Sequence, residues 1–315
     1  QVSGAALAEL EDAGRHYDAK SRADRTWLGY QRDWRHFSGW CDSHGRPALP
    51  ASPETVALYL ADAARSFKVS TLRRRLAAIS VVHQGYGHDS PTTAAVVRTR
   101  MAGIARANVD QPVERKAAAW GKDVRRMVAT LPDDGARSTL ARAVLTVGFA
   151  GGFRRSELVA LDVGDVAETD DGLVLRIRRS KTDQEGAGRS IGIPYGPSPV
   201  SCPVRALRAW RQVNDADTGA LFRSVLGHGQ GLLGGRLSDR GVARIVKAGA
   251  VRIGADPATF AGHSLRAGFV TSAADGGASE AAIMNQTGHH SSEQVRAYMR
   301  DGRLFHNNAA TVTGL

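Results

Sequence analysis

The sequence predicts a mainly α-helical (α+β) chain: a helical domain over residues 1–107, a linker over 108–118, and a mostly helical domain over 119–315 with one small antiparallel sheet. Three observations predict it. Apolar residues recur at helical spacing through most of the chain. Two runs between residues 173 and 194 alternate at strand spacing. A stretch of linker composition, with Gln111-Pro112 and Glu114-Arg115-Lys116, separates the halves. At 315 residues there is material for two hydrophobic cores.

Residues 1–18 are helical in composition but weakly patterned. From Ser21 the pattern sharpens: Trp27, Tyr30, Trp34, Phe37 and Cys41 form an apolar stripe, with Arg25, Arg32 and Arg35 off it. That stripe is expected to be core, and its basic flank to face a polyanion. Pro47, Pro50 and Pro53 punctuate a turn, and Pro53-Glu54 opens a helix over Thr55–Ala64. Beyond Ser70, Leu72, Leu76, Ile79 and Val82 make another stripe, and Arg73, Arg74 and Arg75 beside it form either a solvated face or a set of phosphate or groove contacts.

In the second domain, Leu140, Val144, Val147 and Ala150 form a buried stripe that ends at Gly151-Gly152. Arg154 follows the break, just before Ser156-Glu157-Leu158-Val159, where a helix start would bring backbone N–H groups and Arg154 near one anion; on these residues alone a helix C-cap followed by an ordinary surface arginine fits as well. Leu173, Leu175 and Ile177 alternate with Val174, Arg176 and Arg178, and Arg189 to Pro194 alternates again, predicting two strands joined by a turn that starts at Lys181. Further helices are expected over Pro203–Val213 and Ser238–Arg252, the latter carrying Arg240, Arg244 and Lys247 as candidates to face a polyanion, with Gly227–Gly235 a flexible loop between them. A helix follows His263 to about Ala274. Ser279 and Ser292 are expected to cap two more.

Lys and Arg total 42 against 31 Asp and Glu, a net charge of +11 and a pI near 10.2. Such a balance favours a polyanionic partner through counterion release. The excess is shared: residues 1–107 hold 15 basic and 10 acidic residues, the remainder 27 and 21. Cys41 and Cys202 stand far apart and outside any ligand pattern, so no disulfide framework or zinc site is expected. His263, His289, His290 and His306 lack the two-ligand helix spacing of zinc proteases, and neither metal nor cofactor is expected. No apolar run nears 20 residues, and the expectation is a cytoplasmic, nucleoid-associated protein. The chain starts at Gln1 rather than Met, which leaves a leader ahead of it open.

The chemistry is concentrated in four segments: Gly152-Phe153-Arg154-Arg155-Ser156-Glu157-Leu158, Arg179-Ser180-Lys181-Thr182, His263-Ser264-Leu265-Arg266, and Gly288-His289-His290 through Tyr298. Together they supply two arginines, histidines, a lysine and a tyrosine, the set that metal-free phosphoryl transfer to a protein nucleophile requires. Charge builds on the phosphate oxygens and the leaving oxygen, and planar arginine forks can stabilise it where no carboxylate cluster holds Mg²⁺.

In order, type and spacing these segments resemble the tyrosine recombinases, the phage-integrase family of site-specific DNA recombinases. That family places an arginine between a Gly-Leu-like pair and Ser-Glu-Leu, a lysine in a β-hairpin turn, His-x-x-Arg, and a Gly-His pair with the nucleophile nine residues on. Phe153 and Arg155 stand where aliphatic residues are usual, and the tail after Tyr298 is short. The resemblance runs from about residue 20 and implies a core-binding domain followed by a catalytic domain. It implies that Arg154, Arg266 and His289 bind the scissile phosphate, that His263 assists proton transfer from the nucleophile Tyr298, that Lys181 is the general acid, and that Glu157 supports the cluster from behind. It further implies a 3′-phosphotyrosyl intermediate, a Holliday junction, a homotetramer on two double-stranded sites with short inverted repeats, and room for accessory proteins. Leu304, Phe305 and Val312 would let the tail dock on a neighbour or pack in cis. Two rival readings are a type IB topoisomerase and a DNA-binding regulator that has lost catalysis.

Overall fold

A computed structural model describes residues 24–108, 116–133, 135–178, 188–226, 233–289 and 291–302. The helix expected before residue 19, Lys181 and its turn, His290, His306, and the tail residues Leu304, Phe305 and Val312 lie outside the described residues, as does the side chain of Arg25. The chain divides into two compact units, Gln1–Glu114 and Arg115–Leu315.

The first unit contains helices α1 (Asp24–Ser43), α2 (Pro53–Ala63), α3 (Val69–Gly85) and α4 (Ala95–Ala107). Ser52 caps α2, its hydroxyl accepting from the Thr55 N–H at 3.2 Å ahead of Pro53 in the first turn. Phe37, Cys41, Tyr59, Leu60, Leu72 and Ile79 make the core, with Trp34 packed against it, so the Trp34, Phe37 and Cys41 part of the stripe faces inward, while Trp27 and Tyr30 stand half-buried outside this cluster.

The three adjacent arginines of α3 part company. Arg73 is exposed. Arg74 forks onto the buried carboxylate of Asp33 at 2.6 and 3.0 Å. Arg75 is 5% exposed, donates to the Tyr59 hydroxyl at 2.8 Å and lies 3.7 Å over the Phe67 ring. The expectation of three solvated or phosphate-contacting arginines is therefore corrected: Arg75 is an internal brace and Arg74 is already paired. Burial pushes the Tyr59 phenol up to about 12, so it remains a neutral hydroxyl beside the Arg75 cation.

The second unit begins earlier than its composition suggests. Ala117 donates to the Thr259 carbonyl at 2.8 Å and Ala119 to that of Ser264 at 2.9 Å, so the end of the expected linker is already bonded to this unit. It continues through α5 (Gly121–Ala129), α6 (Gly135–Ala150) and α7 (Arg155–Ala160) into an antiparallel sheet ordered β1-β2-β3, with β1 Val166–Thr169, β2 Gly172–Ile177 and β3 Arg189–Pro194. Leu173, Leu175, Ile177, Ile191 and Ile193 bury one face of this sheet against α6 and α8 (Pro203–Asn214), where Leu207 and Trp210 complete the core. The register pairs Ile177 with Arg189, placing Arg189 at the start of β3.

A second hairpin, β4 (Arg223–Val225) with β5 (Leu233–Arg236), corrects the reading of Gly227–Gly235 as loop throughout, since Gly234 and Gly235 lie in a strand. Helices α9 (Asp239–Arg252), α10 (Ser264–Asp275), α11 (Glu280–Thr287) and α12 (Ser292–Gly302) finish the described chain. Ser279 caps α11, while Ser291, one residue before the expected Ser292, accepts from the Glu293 N–H. Every residue of α10 from Ser264 to Gly268 is buried, and a Cβ at Gly268 would stand 1.7 Å from the Ala119 carbonyl oxygen. Among the described residues no helix is long and apolar enough to cross a membrane.

Candidate active site

Helix α6 ends at Gly151-Gly152, where Gly152 takes φ +56° and so reverses the chain as glycine readily does. Phe153 folds its ring over Gly151 and buries itself in the core. The stem of Arg155 passes over Gly262, beside His263. Arg154 then precedes α7, and Glu157 in the first turn reaches back to it. The carboxylate accepts from the Arg154 backbone N–H at 3.0 Å and from its guanidinium at 2.6 Å. Only 1% of the Glu157 side chain and 14% of that of Arg154 is exposed, which sets this arginine apart from an ordinary surface charge.

The C-terminus of α11 closes the site from the other side. Its last carbonyls have no partner within the helix, and three arginines take them. Arg266, buried on α10, donates through Nη1 to the carbonyls of Gly152 at 2.9 Å and Thr287 at 2.6 Å. Arg154 reaches the Gly288 carbonyl at 3.4 Å. Arg189 donates to Gln286 at 2.7 Å and Thr287 at 3.2 Å, and to Glu157 at 3.3 Å. Arg266 also lies 4.0 Å from Glu157. One buried carboxylate thus faces three cations. Arg189 was not among the sequence candidates: it reads as an ordinary strand-opening residue, and its carbonyl partners lie nearly a hundred residues away in the chain.

This crowding shapes the titrations. Burial, then repulsion from Arg154, pushes Arg266 down to about 10, opposed by Glu157, and it remains a cation at neutral pH. The ionised form of Tyr298 would favour that cation, so the tyrosine lies within its electrostatic reach. Burial, then Arg266, Arg154 and Arg189, pushes His289 down to about 4. The Thr287 hydroxyl spends its single proton on the Ile283 carbonyl at 2.6 Å, so its 2.7 Å contact with His289 has Nδ1–H as the donor. Neutral His289 therefore presents a bare Nε2.

Tyr298 stands on α12, half-buried against the cluster of Val270, Ala274, Ile283, Val295 and Met299. His263 is exposed at the start of α10. The structure thus brings Arg154, Glu157, Arg266 and His289 together, with Tyr298 within electrostatic reach of Arg266. Of the expected DNA-facing residues described, Arg32, Arg35, Arg73, Arg240, Arg244 and Lys247 are exposed, the last three in the i, i+4, i+7 row of one face of α9.

A family model described as phage integrase family matches residues 120–303, and one described as phage integrase, N-terminal SAM-like domain matches residues 17–86. The chain belongs to the phage integrase family. The span 120–303 of this integrase includes Arg154, Glu157, Lys181, His263, Arg266, His289 and Tyr298. The integrase is 40% identical over 294 residues to the integrase/recombinase xerD homolog of Selenomonas ruminantium, across 92% of this chain and 85% of that one. It is 27% identical to the tyrosine recombinase XerD of Rhizobium meliloti (strain 1021), across 90% and 88%. Its fold resembles that of a lambda integrase dimer bound to a COC′ core site, with TM-score 0.62 and 16% identity over 94% of this chain and 95% of that one. It also resembles the Tn1549 transposon integrase in complex with transposon right end DNA, with TM-score 0.61 and 15% identity over 91% and 92%. The integrase is an enzyme of the tyrosine-recombinase class of DNA strand transferases.

Proposed function

We propose that the integrase recombines double-stranded DNA at specific sites through a covalent link to Tyr298. The observation that carries this reading is Arg266 Nη2: it is buried without a hydrogen-bond partner among the described residues, on a guanidinium whose other nitrogen is fixed to two carbonyls and which senses Tyr298. A buried cationic donor without a partner is costly, and a non-bridging phosphate oxygen satisfies it. Arg154 supplies the second fork. The Tyr298 oxygen attacks phosphorus, the bond to the 5′ oxygen breaks, and a 3′-phosphotyrosyl ester forms. His263 takes the phenol proton and Lys181 gives one to the departing 5′ oxygen. His289 accepts at Nε2 until the charge of the phosphodiester draws a proton onto it, whereupon it donates to the phosphate. A 5′ hydroxyl from a partner strand reverses the step, conserving the ester energy without ATP. Repeating the exchange passes through a Holliday junction, and four copies on two short inverted-repeat sites bring the strands together. Exposed Arg32, Arg35, Arg73, Arg240, Arg244 and Lys247 neutralise flanking phosphates.

The test uses a duplex selected from a randomised pool by retention on the integrase, nicked to trap cleavage and incubated in EDTA with wild type and Tyr298→Phe. Wild type is expected to form a denaturation-resistant adduct, and Tyr298→Phe to bind the duplex equally without forming one. Tight binding by wild type with no adduct would replace this reading with that of a DNA-binding regulator. A two-duplex assay then separates recombination from strand relaxation.

A further inference from the structure

We propose that Arg189 is a positioning residue for strand transfer, anchoring the turn that carries His289 to the buried carboxylate of Glu157. This role rests on the reading above. The turn from Gln286 to His289 must be rigid, because the Thr287 and Gly288 carbonyls orient Arg266 and Arg154 and the Thr287 hydroxyl orients His289. Three successive carbonyls, of Gln286, Thr287 and Gly288, are held by arginines from three elements. Only Arg189 holds two of them while also hydrogen-bonding Glu157, the carboxylate oxygen that accepts from the Arg154 backbone.

Its donors separate this role from phosphate binding. Both terminal nitrogens of Arg189 are committed to protein oxygens, whereas Arg266 keeps Nη2 without a partner among the described residues. The remaining Nε of Arg189 is buried and packed beneath Gly288, where a Cβ would stand 2.7 Å from it, so no ligand reaches it. The same close approach explains the glycine, whose φ of +65° also ends α11 in a left-handed turn. A cation at a helix C-terminus is favoured by the helix dipole as well. Arg189 therefore holds the turn, and Arg266 is the arginine whose terminal nitrogen is left to meet a phosphate.

The test compares wild type, Arg189→Met and Arg189→Lys, each as the full chain, on the selected nicked duplex and without DNA. Arg189→Met is expected to bind the duplex within about threefold of wild type but to form adduct about 100-fold more slowly, the loss that a small misplacement of reacting groups causes. Arg189→Lys, keeping the charge without the fork, is expected to recover part of that rate. In the free protein, amide exchange at Gly288, which donates to the Met284 carbonyl at 2.7 Å, is expected to speed at least tenfold in Arg189→Met, while Leu175 and Ile191 in the sheet keep their protection. Adduct formation by Arg189→Met at the wild-type rate overturns the positioning role and leaves the strand-transfer reading intact. A loss of affinity as large as the loss of rate makes Arg189 a phosphate contact and also overturns it. If wild type forms no adduct the strand-transfer reading fails, and unchanged Gly288 exchange then shows that Arg189 does not hold the turn either.

Discussion

Replacing Glu157 with alanine should damage the second unit more than its small volume suggests. The carboxylate is 1% exposed and accepts from Arg154 at 2.6 and 3.0 Å and from Arg189 at 3.3 Å, with Arg266 4.0 Å away. Removing it leaves three guanidinium groups facing one another with no anion. Breaking a buried pair by deleting one partner costs about 3–5 kcal/mol, because the charge left behind is uncompensated. For a unit of roughly 200 residues, each kcal/mol shifts the midpoint by about 2–4 °C, so the transition of this unit in calorimetry should fall by about 10 °C. Glu157→Gln keeps the shape and one acceptor and should cost about 2 kcal/mol, the loss of charge assistance to its hydrogen bonds. The cause is electrostatic, so inorganic phosphate should restore more stability to Glu157→Ala than it adds to wild type, through binding linkage. A midpoint within about 2 °C of wild type, or equal stabilisation of both by phosphate, would refute the idea that this carboxylate balances the three cations.

Gly152→Ala places a methyl group 2.8 Å from Thr287 Cγ2 and 2.9 Å from the Phe269 ring at a φ of +56°. Strain of that kind costs about 1–3 kcal/mol, and because the Gly152 carbonyl holds Arg266, adduct formation should slow at least tenfold; melting and a time course of adduct formation check both. His289 should stay neutral in the DNA-free protein down to about pH 5, since it is pushed from 6.5 down to about 4, and imidazole carbon shifts in an NMR titration read this directly. A folded-state pKa below the unfolded one means that the unfolded chain binds the proton first. Its contribution to stability is therefore complete above pH 6.5 and is lost as the pH falls towards 4, a window that His289→Gln should flatten. Binding of the selected duplex should move the titration upward, because a phosphate charge offsets Arg154, Arg189 and Arg266.

Much of this molecule was legible where periodicity carries the information. Trp34, Phe37 and Cys41 of the first stripe, the buried run from Leu140 to Ala150 and the alternation of Leu173, Leu175 and Ile177 each lie on the face their spacing implies. Strand β1 escaped because Val166 is the only one of its four residues that is even partly buried, so no alternation marks it. The hairpin of β4 and β5 escaped because glycines dilute a short strand. Arg75 was misplaced by its neighbours: three consecutive arginines look alike, although Arg75 falls on the row of Leu72 and Ile79 and so shares their buried face. The type and order of Arg154, Arg266, His289 and Tyr298 were visible through their motifs. The part played by Arg189 was not, because it consists of hydrogen bonds to distant backbone carbonyls, which no side-chain pattern encodes.

Arg154, Glu157, Arg189, Arg266 and the Gln286–His289 turn share partners so closely that none can change alone without moving another's anchor. Substitutions within one network depart from additivity by about 0.5–3 kcal/mol. For a chain drifting in sequence, these positions form a single inherited unit although they span more than 130 residues. Exchanging one arginine becomes tolerable only after its neighbours have already shifted, which makes each single step costly and holds the set together while the surface around it diverges.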